Sequence, residues 1–277
     1  MPRGCAQIRS ATKRFQVKVL IVGLNRSSSF TAKHLYDRVI KPFEKSCFFD
    51  IIVSIWLIDP EGKINNPRSS ESGNIESQVA FPLNRYKVTT MSQSYLWNSV
   101  AHLHQELIAK GDDWKDSGRS LRNALIFLRS LEASSITLTG AEDVVLFIRP
   151  DVLISRFPSM KLRALFLAIA NRRNRKILMS PIWGNYGGLN DRLGMMTGNA
   201  SQDYFGRLGR VQEWLRSERP FHSERYLLNS SSDIQLRRSI FAKIWRVRLG
   251  GRIEEGDLRR FRQPLVWQLL KKRRTFL

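Results

Sequence analysis

The chain has 277 residues, 42% of them hydrophobic and 25% charged, which is typical of a globular protein with a packed core. It contains no run of the roughly 18 or more apolar residues that a membrane span needs, and residues 1–15 lack the apolar stretch of a signal peptide, so we expect a cytosolic protein. The net charge of +22 indicates an anionic partner: a phosphate-bearing substrate, a nucleic acid or an anionic lipid surface.

The N-terminal part of the chain predicts a βαβ unit. Residues 17–24 form a short apolar run rich in β-branched side chains, a helical pattern follows at 31–43, and residues 48–58 repeat the strand pattern. Two strands joined by one helix become parallel neighbours, so the sequence predicts an α/β fold with a parallel central sheet. Ligands of such sheets bind at the carboxyl ends of the strands.

The remaining predicted elements follow in chain order. They are a polar loop at 61–90, two amphipathic helices around 96–107 and 121–131, a strand at 143–148, a helix at 160–170, a strand at 176–182, a glycine-rich stretch at 183–194 and a helix at 199–217. The two amphipathic helices are interpreted as core packing, because their leucines recur every three to four residues. The rest of the chain is predicted to be helical and basic.

The strand at 143–148 runs directly into Arg149-Pro150-Asp151. Pro150 stiffens the backbone, so the carboxylate of Asp151 is expected at the edge of the sheet. Mg²⁺ and Mn²⁺ take one or two protein carboxylates and complete their shells with substrate phosphates, so Asp151 is a candidate metal ligand. The alternative is that Asp151 only caps the turn that follows.

A second candidate segment is the loop Gly187-Gly188-Leu189-Asn190-Asp191-Arg192. Consecutive glycines let the backbone approach a ligand, and the polar side chains after them can bind hydroxyl or phosphate groups. Asp191 is a candidate general base for an acceptor hydroxyl. The alternative is a glycine turn with a surface ion pair.

Two further segments carry candidate residues. Glu224, in His222-Ser223-Glu224-Arg225, is a candidate base or hydroxyl ligand, or a helix N-terminal carboxylate stabilised by the helix dipole. Residues 23–29 follow the first strand, and their backbone N–H groups together with Arg26 suit a nucleotide phosphate. This segment lacks the lysine of a Walker loop and the glycine spacing of a dinucleotide fingerprint.

In chain order these segments resemble a family of bacterial and viral glycosyltransferase-like proteins of capsule and lipopolysaccharide synthesis. The family shows a first strand that ends in Gly-x-x-Arg-Ser/Thr, a second strand like residues 49–53, a later strand that ends in Arg-Pro-Asp, then Gly-Gly-hydrophobic-Asn-Asp and His-x-Glu. The likeness covers residues 17–230. It implies a GT-A-type fold, with a Rossmann-type central sheet flanked by helices and, here, a basic helical C-terminal part.

The resemblance also implies a function, which is transfer of a hexosyl-type sugar from a nucleotide-diphosphate sugar to a glycan or lipid-linked acceptor. It assigns catalysis to Asp191 and Glu224 and a Mn²⁺ or Mg²⁺ ion to Asp151. The residues assigned to the donor are Gly23, Arg26, Ser27, Arg149, Gly188 and Asn190. The family's metal motif often has a second acidic residue where this chain has Arg149, so the cation would be held weakly or by one carboxylate.

The predicted organisation is a basic N-terminal segment at 1–16, one α/β domain at 17–249 and a basic helical tail at 250–277. The basic surface from Arg237 to Arg274 predicts contact with an anionic membrane, such as the inner face of a cell membrane, or with a polyanionic acceptor, because apolar residues at 265–270 stand beside the basic run Lys271 to Arg274. Two other functions stay open. One is a sulfotransferase, because the turn at 25–29 suits a phosphosulfate nucleotide; the other is a nucleic-acid-binding protein, which only the charge supports.

Overall fold

A seven-stranded mixed sheet forms the centre of the computed structural model, which describes residues 14–44, 46, 48–59, 63–66, 71–74, 86–155, 159–217, 219–240 and 242–260. The strands are β1 Phe15–Leu24, β2 Phe49–Asp59, β3 Lys63–Asn66, β4 Glu71–Asn74, β5 Lys87–Ser92, β6 Val144–Ile148, β7 Val152–Ile154, β8 Ile177–Pro181, β9 Leu193–Thr197, β10 Gln235–Ile240 and β11 Ile244–Arg246. The central order is β10-β8-β9-β6-β1-β2-β5, and the pairs β3/β4 and β7/β11 stand apart from it.

Helices cover both faces of this sheet. They are α1 Ser28–Leu35, α2 Lys41–Glu44, α3 Gln93–Asn98, α4 Ala101–Ile108, α5 Arg119–Ser134, α6 Ser159–Ala170, α7 Gly198–Phe205, α8 Val211–Leu215, α9 Ser223–Ser230 and α10 Glu255–Arg260. A π-helical turn, Tyr36–Ile40, joins α1 to α2. Within the described residues, no helix is long and apolar enough to cross a membrane.

The alternation of side chains along β1 builds a core on each side of the sheet. Val19 packs with Leu35 and Phe166 on one face, whereas Leu20 packs with Leu131 on the other. All of these side chains are fully or almost fully buried. The predicted α/β class, with a central sheet flanked by helices, is confirmed.

The direction of β9 decides which loops meet. β1, β2, β5 and β6 are parallel, so their carboxyl ends share one edge of the sheet. β9 is antiparallel to β6 with Leu193 opposite Ile148, so the residues before β9 lie beside the residues after β6. The backbone N–H of Arg149 donates to the carbonyl of Arg192 at 3.1 Å and extends this pairing. The Arg-Pro-Asp turn and the glycine-rich loop are therefore neighbours.

Several predicted elements need correction. The helix predicted at 96–107 is two helices, α3 and α4, and the helix predicted at 199–217 is α7 and α8 joined by a 3₁₀ turn, Gly206–Arg210. The predicted loop at 61–90 contains strands β3 and β4 and the start of β5. The basic C-terminal part is helical only in places, because β10 and β11 follow α9. Residues 1–13 and 261–277 lie outside the described residues, and the second range includes the apolar and basic end of the predicted membrane-contact surface.

The predicted domain boundary between residues 249 and 250 does not coincide with a break in the packing. Gly251 lies against the ring of Phe30, and Ile253 is buried. Asp257 is 2% exposed and pairs with Arg192 of the central domain. Residues 250–260 are thus part of the same packed unit.

Candidate functional site

A cavity of about 310 Å³ opens at the edge of the sheet where β1 and β6 end. Most of its lining residues come from the turn after β1, the loop 111–118, helix α5, the Arg149 turn with the glycine-rich loop, the start of α9, and the segment 246–257. Arg26, Arg149, Asp191 and Glu224 are among its lining residues. The structure therefore brings four of the predicted site residues to one place.

Asp151 is the anchor of two arginines beside this cavity. Arg149 donates from Nε to Oδ1 and from Nη2 to Oδ2 of Asp151, both at 2.9 Å, and Arg26 Nη2 donates to Oδ2 at 2.5 Å. Asp151 is only 1% exposed. Burial raises its pKa, but the charges of Arg149 and Arg26 outweigh burial, so the pKa of Asp151 lies far below its usual value.

These contacts do not fit the predicted metal role of Asp151. Both carboxylate oxygens already accept hydrogen bonds from guanidinium groups, and Asp151 is not among the described residues that line the cavity. A divalent cation there would have to displace Arg149 and Arg26 and stand beside their charges. Within the described part of the chain, no cluster of three or more His, Cys, Asp or Glu side chains is arranged to hold a metal ion.

Arg149 links this anchor to the predicted base. Its Nη1 lies 3.7 Å from Oδ2 of Asp191, and Asp191 keeps part of its side chain exposed. Burial lowers the pKa of Arg149, but the carboxylates of Asp151 and Asp191 more than compensate, so its pKa is raised and the group stays charged. Asp191 therefore faces the cavity next to a fixed positive charge.

The glycine-rich loop positions Asp191 through its own hydrogen bonds. Asn190 donates from Nδ2 to the carbonyl of Trp183 at 3.0 Å, and its Oδ1 accepts from the backbone N–H of Arg192 at 2.9 Å. Gly188 packs against α9, where the N–H of Leu189 donates to the carbonyl of Glu224 at 2.9 Å. Neither Asn190 nor Gly188, both predicted donor ligands, is among the described lining residues, and both organise the loop instead.

Gly188 offers a test of this packing. A Cβ at this position would stand 1.8 Å from the carbonyl oxygen of Glu224, so Gly188→Ala must separate the loop from α9. We expect a loss of about 1–3 kcal/mol in the free energy of unfolding, measured by urea titration, as for an overpacked core. Gly209→Ala is the matched control, because nothing lies within 4 Å of its added Cβ. Equal stability of the two variants would contradict the packing argument.

Glu224 belongs to a small polar and aromatic cluster at the other side of the cavity. Ser223 Oγ donates to its Oε2 at 2.7 Å, and Nδ1 of His222 lies 3.0 Å from the same oxygen. Burial raises the pKa of Glu224, but His222 and Ser223 reverse the shift, so the pKa lies below its usual value. The His222 ring stacks on Trp114 with centroids 5.2 Å apart, and Tyr186 lies at 6.3 Å.

The loop 111–118 holds Trp114 in place. The carboxylate of Asp112 accepts from the backbone N–H groups of Trp114, Asp116 and Gly118 at 2.8–3.0 Å. Arg225, in α9, pairs with Asp113 and clamps the loop to the segment that carries Glu224. The aromatic side of the cavity is therefore built by two segments that are tied together.

Comparisons with known proteins give only distant likenesses. No protein-family model and no curated protein sequence matches the chain. Among solved structures, mouse xyloside xylosyltransferase 1 in its apo form is 9% identical with a TM-score of 0.43, over 81% of this chain and 84% of that one. The galactosyltransferase LgtC with donor and acceptor sugar analogues is 10% identical with a TM-score of 0.40, over 80% and 73% of the two chains. An active-site mutant of LgtC is 10% identical with a TM-score of 0.44, over 80% of this chain and 72% of that one. We draw no functional conclusion from likenesses at this level.

Further arginines complete the cavity: Arg192, at the end of the predicted glycine-rich segment, and three that the sequence patterns did not single out. Arg192 donates from Nη1 to both carboxylate oxygens of Asp257 at 2.8 Å. Arg248 pairs with Glu71 at 3.1 Å and with Glu254. The remaining described arginines in the lining are Arg207 and Arg246. The sequence Trp245-Arg246-Val247-Arg248 could have predicted two of the cavity arginines, because apolar and basic residues alternate in it as in a strand. Trp245 and Val247 are buried, and Arg246 and Arg248 line the cavity.

The remaining predicted donor residues, Gly23 and Ser27, are not among the described lining residues. Gly23 has a φ of +146°, and a Cβ there would lie 3.0 Å from Cδ of Pro150. Its small size thus lets the turn after β6 approach β1. Ser27 is the N-cap residue of α1, and its carbonyl accepts from the N–H groups of Phe30 and Thr31. Both residues shape the turn that presents Arg26.

Proposed function

We propose that the protein is a glycosyltransferase of GT-A type that moves a sugar from a nucleotide-diphosphate sugar to a hydroxyl group of a glycan or lipid-linked acceptor. One observation carries the proposal: a single cavity is lined by a cluster of guanidinium groups, by Glu224 with aromatic rings, and by Asp191, which lies beside Arg149. The guanidinium side suits a diphosphate, and the side with the carboxylates and rings suits an uncharged polyhydroxyl group.

The diphosphate side is supported by charge and position. Guanidinium groups present several N–H donors in a planar fork that matches phosphate oxygens. Arg26 and Arg149 follow β1 and β6 directly, at the sheet edge where α/β folds bind ligands. The charge on their carboxylate partner is already satisfied, so Asp151 does not repel a bound diphosphate as a free carboxylate would.

The acceptor side is supported by the two carboxylates. In the proposed reaction an acceptor oxygen attacks the anomeric carbon, and its proton passes to Asp191, with Glu224 as the alternative base. The bond between the anomeric carbon and the diphosphate oxygen breaks, and the nucleoside diphosphate leaves with the bonding electrons. The guanidinium groups stabilise the charge that develops on that leaving oxygen. Trp114, His222 and Tyr186 offer flat surfaces for a sugar ring.

Thermal shift in the presence of nucleotides tests this proposal. A ligand at about 100 times its Kd stabilises the native state by about 2.7 kcal/mol, which raises the Tm of a chain of this size by roughly 5 °C. We expect that rise with at least one of UDP, GDP, ADP and TDP, and hydrolysis of the matching nucleotide sugar in the absence of acceptor. A rise only with 3′,5′-bisphosphoadenosine would favour a sulfotransferase, and a rise only with oligonucleotides a nucleic-acid-binding protein. Either result would reject the proposal.

The anionic membrane surface is a second proposed partner, of the basic surface from Arg237 to Arg274, and the part of that surface at 261–274 lies outside the described residues. It stays a prediction from the sequence.

A further inference from the structure

Arg246 differs in its partners from the four arginines around it. The described residues place no carboxylate within ion-pair distance of its guanidinium group, and its Nε is buried without a hydrogen-bond partner. Arg26, Arg149, Arg192 and Arg248 each pair with at least one carboxylate. The remaining described arginine of the lining, Arg207, has no carboxylate partner either, but its Nη1 donates to the carbonyl of Tyr204. A half-buried guanidinium group that has no ion-pair partner and a buried Nε without a hydrogen bond is costly, so its retention here points to an anion that is supplied from outside.

The backbone fixes this arrangement. β11 pairs with β7 so that Arg246 lies opposite Val152, and the N–H of Val247 donates to the carbonyl of Asp151 at 2.8 Å. The N–H of Arg246 donates to Asp257 Oδ2, the carboxylate that also holds Arg192. Arg246 is therefore held beside both the Asp151 anchor and the Arg192 pair.

The arginines around Arg246 are close enough to repel one another. Burial and the charges of Arg192 and Arg149 lower the pKa of Arg246, and they outweigh the opposite effect of the Asp151 and Asp257 carboxylates. Burial and the charges of Arg246 and Arg26 likewise lower the pKa of Arg248, to about 10. The neighbouring guanidinium groups of Arg26, Arg149, Arg192 and Arg248 form ion pairs with the carboxylates of Glu71, Asp151, Asp191, Glu254 and Asp257, whereas Arg246 takes part in none of these pairs. The carboxylates of this corner of the cavity are therefore already engaged with other guanidinium groups.

We propose that Arg246 is a ligand of the donor diphosphate and that guanidinium groups, rather than a divalent cation at Asp151, balance the charge of that diphosphate. The inference rests on the proposed glycosyltransferase function. It assigns Asp151 to positioning, because this carboxylate fixes Arg26 and Arg149 and has no oxygen free of guanidinium contacts. The bound diphosphate would supply the counter-charge that the described residues do not give Arg246.

Calorimetry with UDP and GDP tests the proposal. The wild type should bind one of them with the same Kd, within about twofold, in EDTA and in MnCl₂. Arg246→Gln should weaken that binding by about 10- to 100-fold, the usual effect of losing a charge-assisted hydrogen bond. Arg246→Lys should restore part of the loss. Arg216→Gln, at an exposed position, removes the same charge and should leave the Kd unchanged.

A second readout separates ligand binding from a structural role. Because Arg246 has no ion-pair partner among the described residues, and burial with the repulsion of Arg192 and Arg149 outweighs the attraction of Asp151 and Asp257, Arg246→Gln should leave the Tm of the free protein unchanged or raise it, while the ligand-induced rise is lost. A lower Tm of the free variant with unchanged affinity would overturn the proposal. Binding by the wild type that requires Mn²⁺ would overturn it as well, yet leave the glycosyltransferase function standing. Failure of every nucleoside diphosphate to bind the wild type would reject both.

Discussion

Replacing Asp191 by asparagine should lower turnover of the nucleotide sugar by about 10²- to 10⁴-fold, which is the usual contribution of a positioned carboxylate base. The side chain faces the cavity next to Arg149, and asparagine keeps its size while removing its ability to accept a proton. Affinity for the nucleoside diphosphate should stay within about threefold, because the proposed base acts on the acceptor. Single-turnover kinetics together with calorimetry would measure the two effects separately.

Two variants accompany this experiment. Glu224→Gln should have a smaller effect, because the Glu224 carboxylate is already engaged with Ser223 and His222. Asp233→Asn makes the same chemical change at an exposed ion pair with Arg210 and should leave turnover unaltered. Near-normal turnover in both the Asp191 and Glu224 variants would remove the base role from both residues. A larger loss in Glu224→Gln would transfer that role to Glu224.

Replacing Asp151 by asparagine should destabilise the fold by about 3–5 kcal/mol, as expected when one member of a buried ion-pair network is removed. The change leaves Arg149 and Arg26 without the carboxylate they share. Asp37→Asn is the control, because Asp37 pairs with exposed Lys33, and it should cost less than about 1 kcal/mol. Urea titration at neutral pH gives both values, and an Asp151→Asn effect below that of the control would refute the anchor role.

The effect of Asp151 should also depend on pH in a defined direction. Its pKa is depressed in the folded state, so the stability that it contributes is fully present above its unfolded pKa, near 3.8, and is lost as the pH falls toward the folded value. The difference between wild type and Asp151→Asn should therefore be constant at neutral and mildly acidic pH. It should shrink only below about pH 4. A difference that shrinks in mildly acidic solution would contradict the depressed pKa.

The sequence predicted those site residues that follow the ends of strands. Arg26 and Arg149 come directly after apolar runs that form β1 and β6, and parallel strands bring such ends to one edge. Asp191 was predicted because it follows consecutive glycines, but its position beside Arg149 depends on strand β9. The sequence did not predict β9, because this strand is short and contains a glycine, and nothing in its local pattern indicates that it pairs antiparallel with β6.

Arg246 and Arg248 were missed because their segment was predicted to be helical. In a helix, residues two positions apart point in different directions, so a helical segment would not place the two arginines at one site. In the extended backbone that they adopt, they point to the same side and both line the cavity. Helix α5 was interpreted as core packing, and its leucines do pack in the core, yet Asn123 and Phe127 on another face of it line the cavity.

The cavity joins residues from distant parts of the chain, and this has a consequence for synthesis on the ribosome. Arg248 pairs with Glu71, which is 177 residues away in the sequence, and Asp257 pairs with Arg192, which is 65 residues away. The sheet edge can fold while the chain is still growing, since N-terminal parts emerge first. The part of the cavity around Arg192 and Arg248, however, closes only after residue 257 has left the ribosome. A nascent or prematurely terminated chain therefore carries Arg26 and Arg149 without a complete binding site, so donor nucleotide should not be captured before synthesis reaches the last described segment.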